Sequence, residues 1–163
     1  MDGYKVFNKG LINTYGVKYE ENKVYKLDTS NKKLKFGNHG YGFHFVKRLE
    51  DGLRYFDGMN EEIEIAKVKS LGNIVEAFDD YNEYYELYVT DKIYIEHVLT
   101  REEILEYAIT LSSCGLERFV KGYKLTENEI DLIINKASNS DINKAIMYYQ
   151  KNEKDVYSKV LKK

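Results

Sequence analysis

The hydrophobic periodicity of this chain changes once, near Thr100, and no other feature limits its fold so strongly. Before that point apolar residues come in short alternating runs separated by Gly and Asn, the pattern of half-buried strands. Such runs cover residues 4–7, 24–27, 42–46, 63–69, 87–90 and 93–98. One helix interrupts them: over residues 48–56, Leu49, Leu53 and Phe56 fall on one stripe. Gly52 inside that helix predicts close packing, because a bare Cα costs helix stability unless something needs the space.

After Thr100 the period is helical. Thr100-Arg101-Glu102-Glu103 and Thr126-Glu127-Asn128-Glu129 both read as capping boxes. In each, the Thr hydroxyl and the Glu carboxylate satisfy free N–H groups reciprocally. A further helix is expected from Ser140 or Asp141, carrying Ile142, Ala145, Ile146 and Tyr149. Strands first and helices later predict an α+β fold. The expectation is a mostly antiparallel sheet of five or six strands with one inserted helix, then three or four helices. Residues 1–99 would form the sheet domain, and residues 100–163 a helical extension packed on it through its single apolar stripes.

Bulk properties narrow the function classes. A net charge of −2 over 163 residues leaves no basic face for nucleic acid, so direct nucleic-acid binding is not expected. The lone Cys114 cannot form an internal disulfide and reads as a small core residue within an apolar helix. No apolar run reaches membrane-spanning length, and Met1-Asp2-Gly3-Tyr4 does not open a signal peptide. A cytoplasmic protein is therefore expected. The 16 tyrosines suit half-buried strands and also protein-binding surfaces, since each has an apolar body with a polar tip.

From Ser70 to Asp91 there is no Lys or Arg, while Glu76, Asp79, Asp80, Glu83, Glu86 and Asp91 accumulate. This run reads either as a solvated loop and strand edge or as a face that meets a basic partner. His44, between Phe43 and Phe45, occupies the most constrained setting of the three histidines, on the opposite face from its neighbours. No metal-ligand spacing links the histidines to one another or to Cys114. The Gly-rich segment 37–42 leads into a strand rather than a helix, the wrong context for a phosphate cradle.

Several segments together resemble a family of unknown function common in phages and prophages. They are Tyr4-Lys5-Val6-Phe7-Asn8, Gly16-Val17-Lys18-Tyr19, Asn22-Lys23-Val24-Tyr25, Gly42-Phe43-His44-Phe45, the helix with Asp51 and Tyr55, and Val89-Thr90-Asp91-Lys92-Ile93. The resemblance covers roughly residues 3–103. It implies a mobile-element origin and lends no activity. Together with the acidic run, the tyrosines and the lack of a catalytic motif, it leads to the expectation of a product that binds and inhibits or redirects a host protein, with anti-CRISPR and other anti-defence proteins as the class. The partner would be a host protein, possibly a basic nucleic-acid-binding one, met by the acidic run; no cofactor is expected.

Gly42-Phe43-His44-Phe45 and the following helix ending in Tyr55 are also similar to the Gly-x-Tyr-Phe strand and helix of diphtheria-toxin-type ADP-ribosyltransferases. Glu86-Leu87-Tyr88-Val89 is similar to their late strand bearing the catalytic glutamate. That likeness implies NAD as cofactor and Glu86 with His44 as the catalytic residues. Phe7-Asn8 stands where such enzymes hold NAD with His or Arg, and His44 replaces their Tyr.

Overall fold

A computed structural model describes residues 1–37, 39–79, 82–137 and 140–151. The chain divides into two compact units. One comprises residues 1–56 and 62–99, the other residues 57–61 together with the chain from Thr100 onward.

The first unit holds one antiparallel sheet of seven strands: β1 (Asp2–Asn8), β2 (Lys23–Lys26), β3 (Phe43–Val46), β4 (Ile63–Ser70), β5 (Ile74–Asp79), β6 (Asn82–Thr90) and β7 (Lys92–Val98). Their order across the sheet is β2-β7-β4-β1-β3-β6-β5. The α+β class is as expected, and the strands exceed the expected number. The added strand is β5, whose acidic composition hides it: Ile74, Val75 and Glu76 are all exposed, so no buried alternation marks it.

The segment 48–56 is less regular than a single helix. A short α-helix, α1 (Leu49–Gly52), passes directly into a 3-10 turn at Leu53–Tyr55. Leu49 and Leu53 are buried, and Gly52 lies against the sheet, where a Cβ would come within 2.9 Å of Val6. The close packing expected at Gly52 is therefore present.

One junction in the sheet is incomplete. Strand β1 pairs with β4 along its whole length, from Asp2↔Lys69 to Asn8↔Ile63. It meets β3 at the single pair Tyr4↔Val46. The approach there depends on Gly3: a Cβ would overlap the Val46 carbonyl oxygen and fall 2.8 Å from the Phe45 ring. Beyond that pair the two strands part. On one face of the sheet Phe7, Leu11, Tyr19, Phe43, Phe45, Ala66, Val68, Tyr88, Ile93 and Ile95 make a continuous core.

The second unit is helical: α2 (Arg101–Ile109), α3 (Ser113–Gly122), α4 (Glu127–Ala137) and α5 (Ser140–Lys151). Both expected capping boxes form. The Thr100 hydroxyl accepts from Glu103 N–H at 3.2 Å, and the Glu103 carboxylate accepts from Thr100 N–H. Thr126 and Glu129 repeat the arrangement. Such a cap is worth about 1 kcal/mol.

Within this unit α3 packs on α5 and α2 on α4, burying Ile104, Leu116, Phe119, Val120, Ile130, Ile133 and Ile146. A buried glutamine ties the unit together. The Gln150 side-chain amide donates to the carbonyls of Val120 and Tyr123, and its oxygen accepts from Leu125 N–H. Cys114 corrects an expectation: it sits on the exposed side of α3, while the next residues Gly115 and Leu116 face inward. Among the described residues no helix is long and apolar enough to cross a membrane.

Candidate functional site

Where β1 and β3 part, the sheet opens into a cleft of about 470 Å³ within the first unit. That volume is in the range of small-molecule sites. Its floor is strand: Tyr4, Lys5 and Val6 from β1, Phe43 to Val46 from β3, and Leu87 from β6. Its walls are the loop at Asn13–Tyr15, then Phe36, Gly37, Gly40 and Gly42 of the glycine-rich segment, and the Tyr55–Phe56 end of the 3-10 turn.

His44 builds one wall rather than standing free in it. Its Nε2 accepts from Gly37 N–H at 3.1 Å, and its Nδ1 lies 3.2 Å from the Gly42 carbonyl. A carbonyl only accepts, so Nδ1 carries the proton and the ring is neutral. Burial lowers the imidazole pKa, the nearby Lys5 charge lowers it further, and the Gly42 carbonyl partly opposes both. Both ring nitrogens therefore act as anchors for the glycine segment.

Phe36 packs on the His44 ring at 4.9 Å between centroids, and Tyr55 meets Phe36 edge-on at 6.5 Å. The three rings form a continuous aromatic wall. Gly42 allows the entry to β3 by adopting φ +130°, a conformation open to glycine and strained for other residues.

Lys5 is the residue that reading by composition and motif misses. It projects from the same face of β1 as Phe7, a core residue, so alternation along Tyr4-Lys5-Val6-Phe7 carried the signal. Its ammonium donates to the His44 carbonyl at 2.7 Å, across the gap between the parting strands, and lies 5.5 Å from the centre of the Phe7 ring. Burial pulls its pKa down to about 8. Burial also raises the phenol pKa of Tyr4, with a smaller push from Glu50, and that of Tyr19.

The residue expected to act with His44 is placed elsewhere. Register pairs His44 with Val89 and Val46 with Leu87, so these four side chains share one face of the sheet. Glu86, next to Leu87, points to the other face, where it pairs with Lys47 at 3.5 Å. Glu86 and His44 thus do not converge, and it is Leu87 that lines the cleft.

Of the expected acidic run, Glu76 and Glu86 both lie beside Tyr88, and Asp91 is turned inward. Asp91 is buried, with its carboxylate accepting from Asn73 N–H at 2.8 Å, from the Asn73 side-chain amide at 3.0 Å and from the Thr29 hydroxyl at 3.3 Å. Burial alone would raise its pKa; the Asn73 and Thr29 hydrogen bonds outweigh it and hold the carboxyl below its ordinary value. Asp91 is therefore a turn-building residue and not a surface contact. Glu76 is exposed on β5. Asp80 and the side chains of Asp79 and Glu83 lie outside the described residues. Among the described residues no group of three or more His, Cys, Asp or Glu could hold a metal ion.

Comparison with known proteins bears on the first unit. No curated protein and no solved structure matches the chain. Residues 1–105 match the family model described as a domain of unknown function, DUF7666, which takes in the whole sheet and cleft and stops within α2. The chain belongs to that family.

Proposed function

We propose that the sheet unit is a ligand-binding module whose cleft takes a small planar heteroaromatic group of the nicotinamide or nucleobase kind. The observation that carries this reading is the wall of Phe36, His44 and Tyr55 around a cleft of about 470 Å³. Flat rings recognise flat rings by stacking, and removal of one stacking partner typically costs about 1–3 kcal/mol. The polar groups set among these rings are few, as is usual in small-molecule sites. The reading is one of binding rather than cleavage of such a ligand. ADP-ribosyl transfer needs a carboxylate beside the His44 wall, and the β6 side chains on that face of the sheet are Val89, opposite His44, and Leu87, which lines the cleft.

Titration of the whole chain with nicotinamide and with adenosine, followed by NMR, tests the assignment. Saturable shifts in the Phe36, His44 and Tyr55 signals are expected. The Tyr55→Ala variant should bind roughly ten-fold more weakly, the lower part of the stacking range. Failure of both compounds to bind at millimolar concentration removes the reading.

A second reading concerns the chain's role in its host: a phage or prophage product that docks on a host protein in the manner of anti-defence factors. The outer edge of β5 supports it. This strand has β6 on one side and, among the described residues, no strand on the other, and it exposes Ile74, Val75 and Glu76. An unpaired edge presents N–H and C=O groups that an extended segment of another protein can complete. Val75→Pro blocks strand addition at that edge. It is expected to abolish capture of a host protein that the parent captures reproducibly, with unchanged nicotinamide binding. Capture that survives the substitution places the interface elsewhere.

A further inference from the structure

The cleft contains a cation with which no described carboxylate pairs. Lys5 rises from the face of β1 opposite the His44 ring and lines the cleft at the gap between β1 and β3, where its ammonium has one hydrogen-bond partner, the neutral carbonyl of His44 at 2.7 Å. Among the described residues no carboxylate forms an ion pair with it. Glu64 lies on the same face of neighbouring β4, but its carboxylate accepts from Leu11 N–H at 2.8 Å and holds down the loop that follows β1. An ammonium even partly removed from water without an anion weakens a fold, and an apolar side chain of similar length would avoid that cost. The position is easiest to explain if the missing charge arrives with a ligand.

We propose that Lys5 is the anion receptor of this cleft, so that the ligand carries a phosphate or carboxylate beside its planar ring. The ligand class is then a nucleotide or an aromatic acid rather than a free base or a neutral nucleoside. This rests on the cleft reading above and narrows it. The ammonium retains further donors besides the one given to His44, enough for a charge-assisted hydrogen bond to an incoming oxyanion.

The pH dependence follows from the neighbours. The titratable groups around Lys5 are Tyr4 on β1, His44 on β3, Glu64 on β4, and Tyr15, Tyr19 and Tyr55 from the cleft walls. His44 is held neutral, and the phenols of Tyr4 and Tyr19 are pushed above their ordinary value. Lys5, lowered to about 8, is protonated at pH 7 and mostly neutral at pH 9.5. An anion binds the protonated form, so its affinity falls as pH rises through 8. A neutral ligand lacks that dependence.

Two matched pairs of probes, titrated calorimetrically into the whole chain, test the assignment: nicotinate against nicotinamide, and adenosine monophosphate against adenosine. At pH 7 the anionic member of a pair is expected to bind about ten-fold more tightly or better, the ratio a charge-assisted hydrogen bond supplies. At pH 9.5 the ratio should fall toward one. Lys5→Met should remove the preference at pH 7 and leave the neutral probes unaffected, while Lys5→Arg, which keeps the charge, should retain it. Equal binding of both members at pH 7 overturns the proposal, as does an anion preference that survives in Lys5→Met or at pH 9.5. The parent's own pH profile decides the matter even where a variant fails to fold. Failure of all four probes removes the cleft reading itself, whereas binding of the neutral probes without an anion preference removes only the role of Lys5.

Discussion

Gln150→Leu is expected to unfold the helical unit, although the two side chains are nearly equal in size. The Gln150 amide satisfies two carbonyls, Val120 and Tyr123, and one N–H, Leu125, all buried at the turn between α3 and α4. Its backbone carbonyl also accepts from the Lys124 ammonium at 2.8 Å. A leucine fills the space and pairs with none of the three side-chain partners. Each buried polar group left without a partner costs about 1–3 kcal/mol. Three of them come to roughly 3–9 kcal/mol, against a total domain stability of about 5–15 kcal/mol. Urea unfolding followed by helical circular dichroism should show the loss as a large drop in midpoint. Gln150→Glu should be no better, because a carboxylate cannot donate to Val120 and Tyr123. A loss below about 1 kcal/mol for Gln150→Leu would mean that those backbone groups find other partners.

The second large effect is expected at Gly42, where stability and ligand binding change together. An alanine there must hold φ +130°, and its Cβ would overlap the Val89 side chain and come within 2.8 Å of Leu34. Val89 is fully buried and cannot swing aside. Backbone strain of this kind costs about 1–3 kcal/mol, and overpacking a filled core adds about 1–3 kcal/mol. The strand entry must shift, and the His44 contacts to Gly37 and Gly42 shift with it. Gly42→Ala should therefore lower the melting temperature and abolish nicotinamide binding. Gly16 provides the control. It too has a positive φ, +81°, but a Cβ there meets nothing within 4 Å. Gly16→Ala should show only the conformational cost, about 1 kcal/mol, and leave binding intact. Equal effects at the two glycines would remove the argument from packing at Gly42.

Much of the architecture was legible in local pattern, because the forces that decide it are local. A strand with one buried face must alternate, and a helix needs its first N–H groups capped whatever it packs against. The alternating runs thus mark six of the seven strands, and Thr100 and Thr126 mark two helix starts. Where burial is weak that logic fails. The first three residues of β5, Ile74, Val75 and Glu76, are exposed, so its register is imposed by β6 and not by a buried face of its own. Cys114 belongs to an amphipathic helix whose inward stripe begins one residue later, a difference too small to place by counting.

The site depended on tertiary structure almost entirely. The setting of His44 is visible in the sequence, but its role comes from Gly37 and Gly42, whose backbone groups meet its two nitrogens. Glu86 stands out by resemblance to a catalytic glutamate, yet the pairing of Val46 with Leu87 turns it to the opposite face. Asp91 looked like part of a charged surface until the turn at Asn73 folded over it. Lys5 meets the His44 carbonyl 39 residues away in sequence, across a junction that exists only because β1 and β3 pair once and then part. Alternation gives the face on which a side chain lies; which strand becomes its neighbour, and whether the two stay together, is set by the order of the sheet. A cleft made by strands that separate is therefore a property of topology, and residue pattern alone does not contain it.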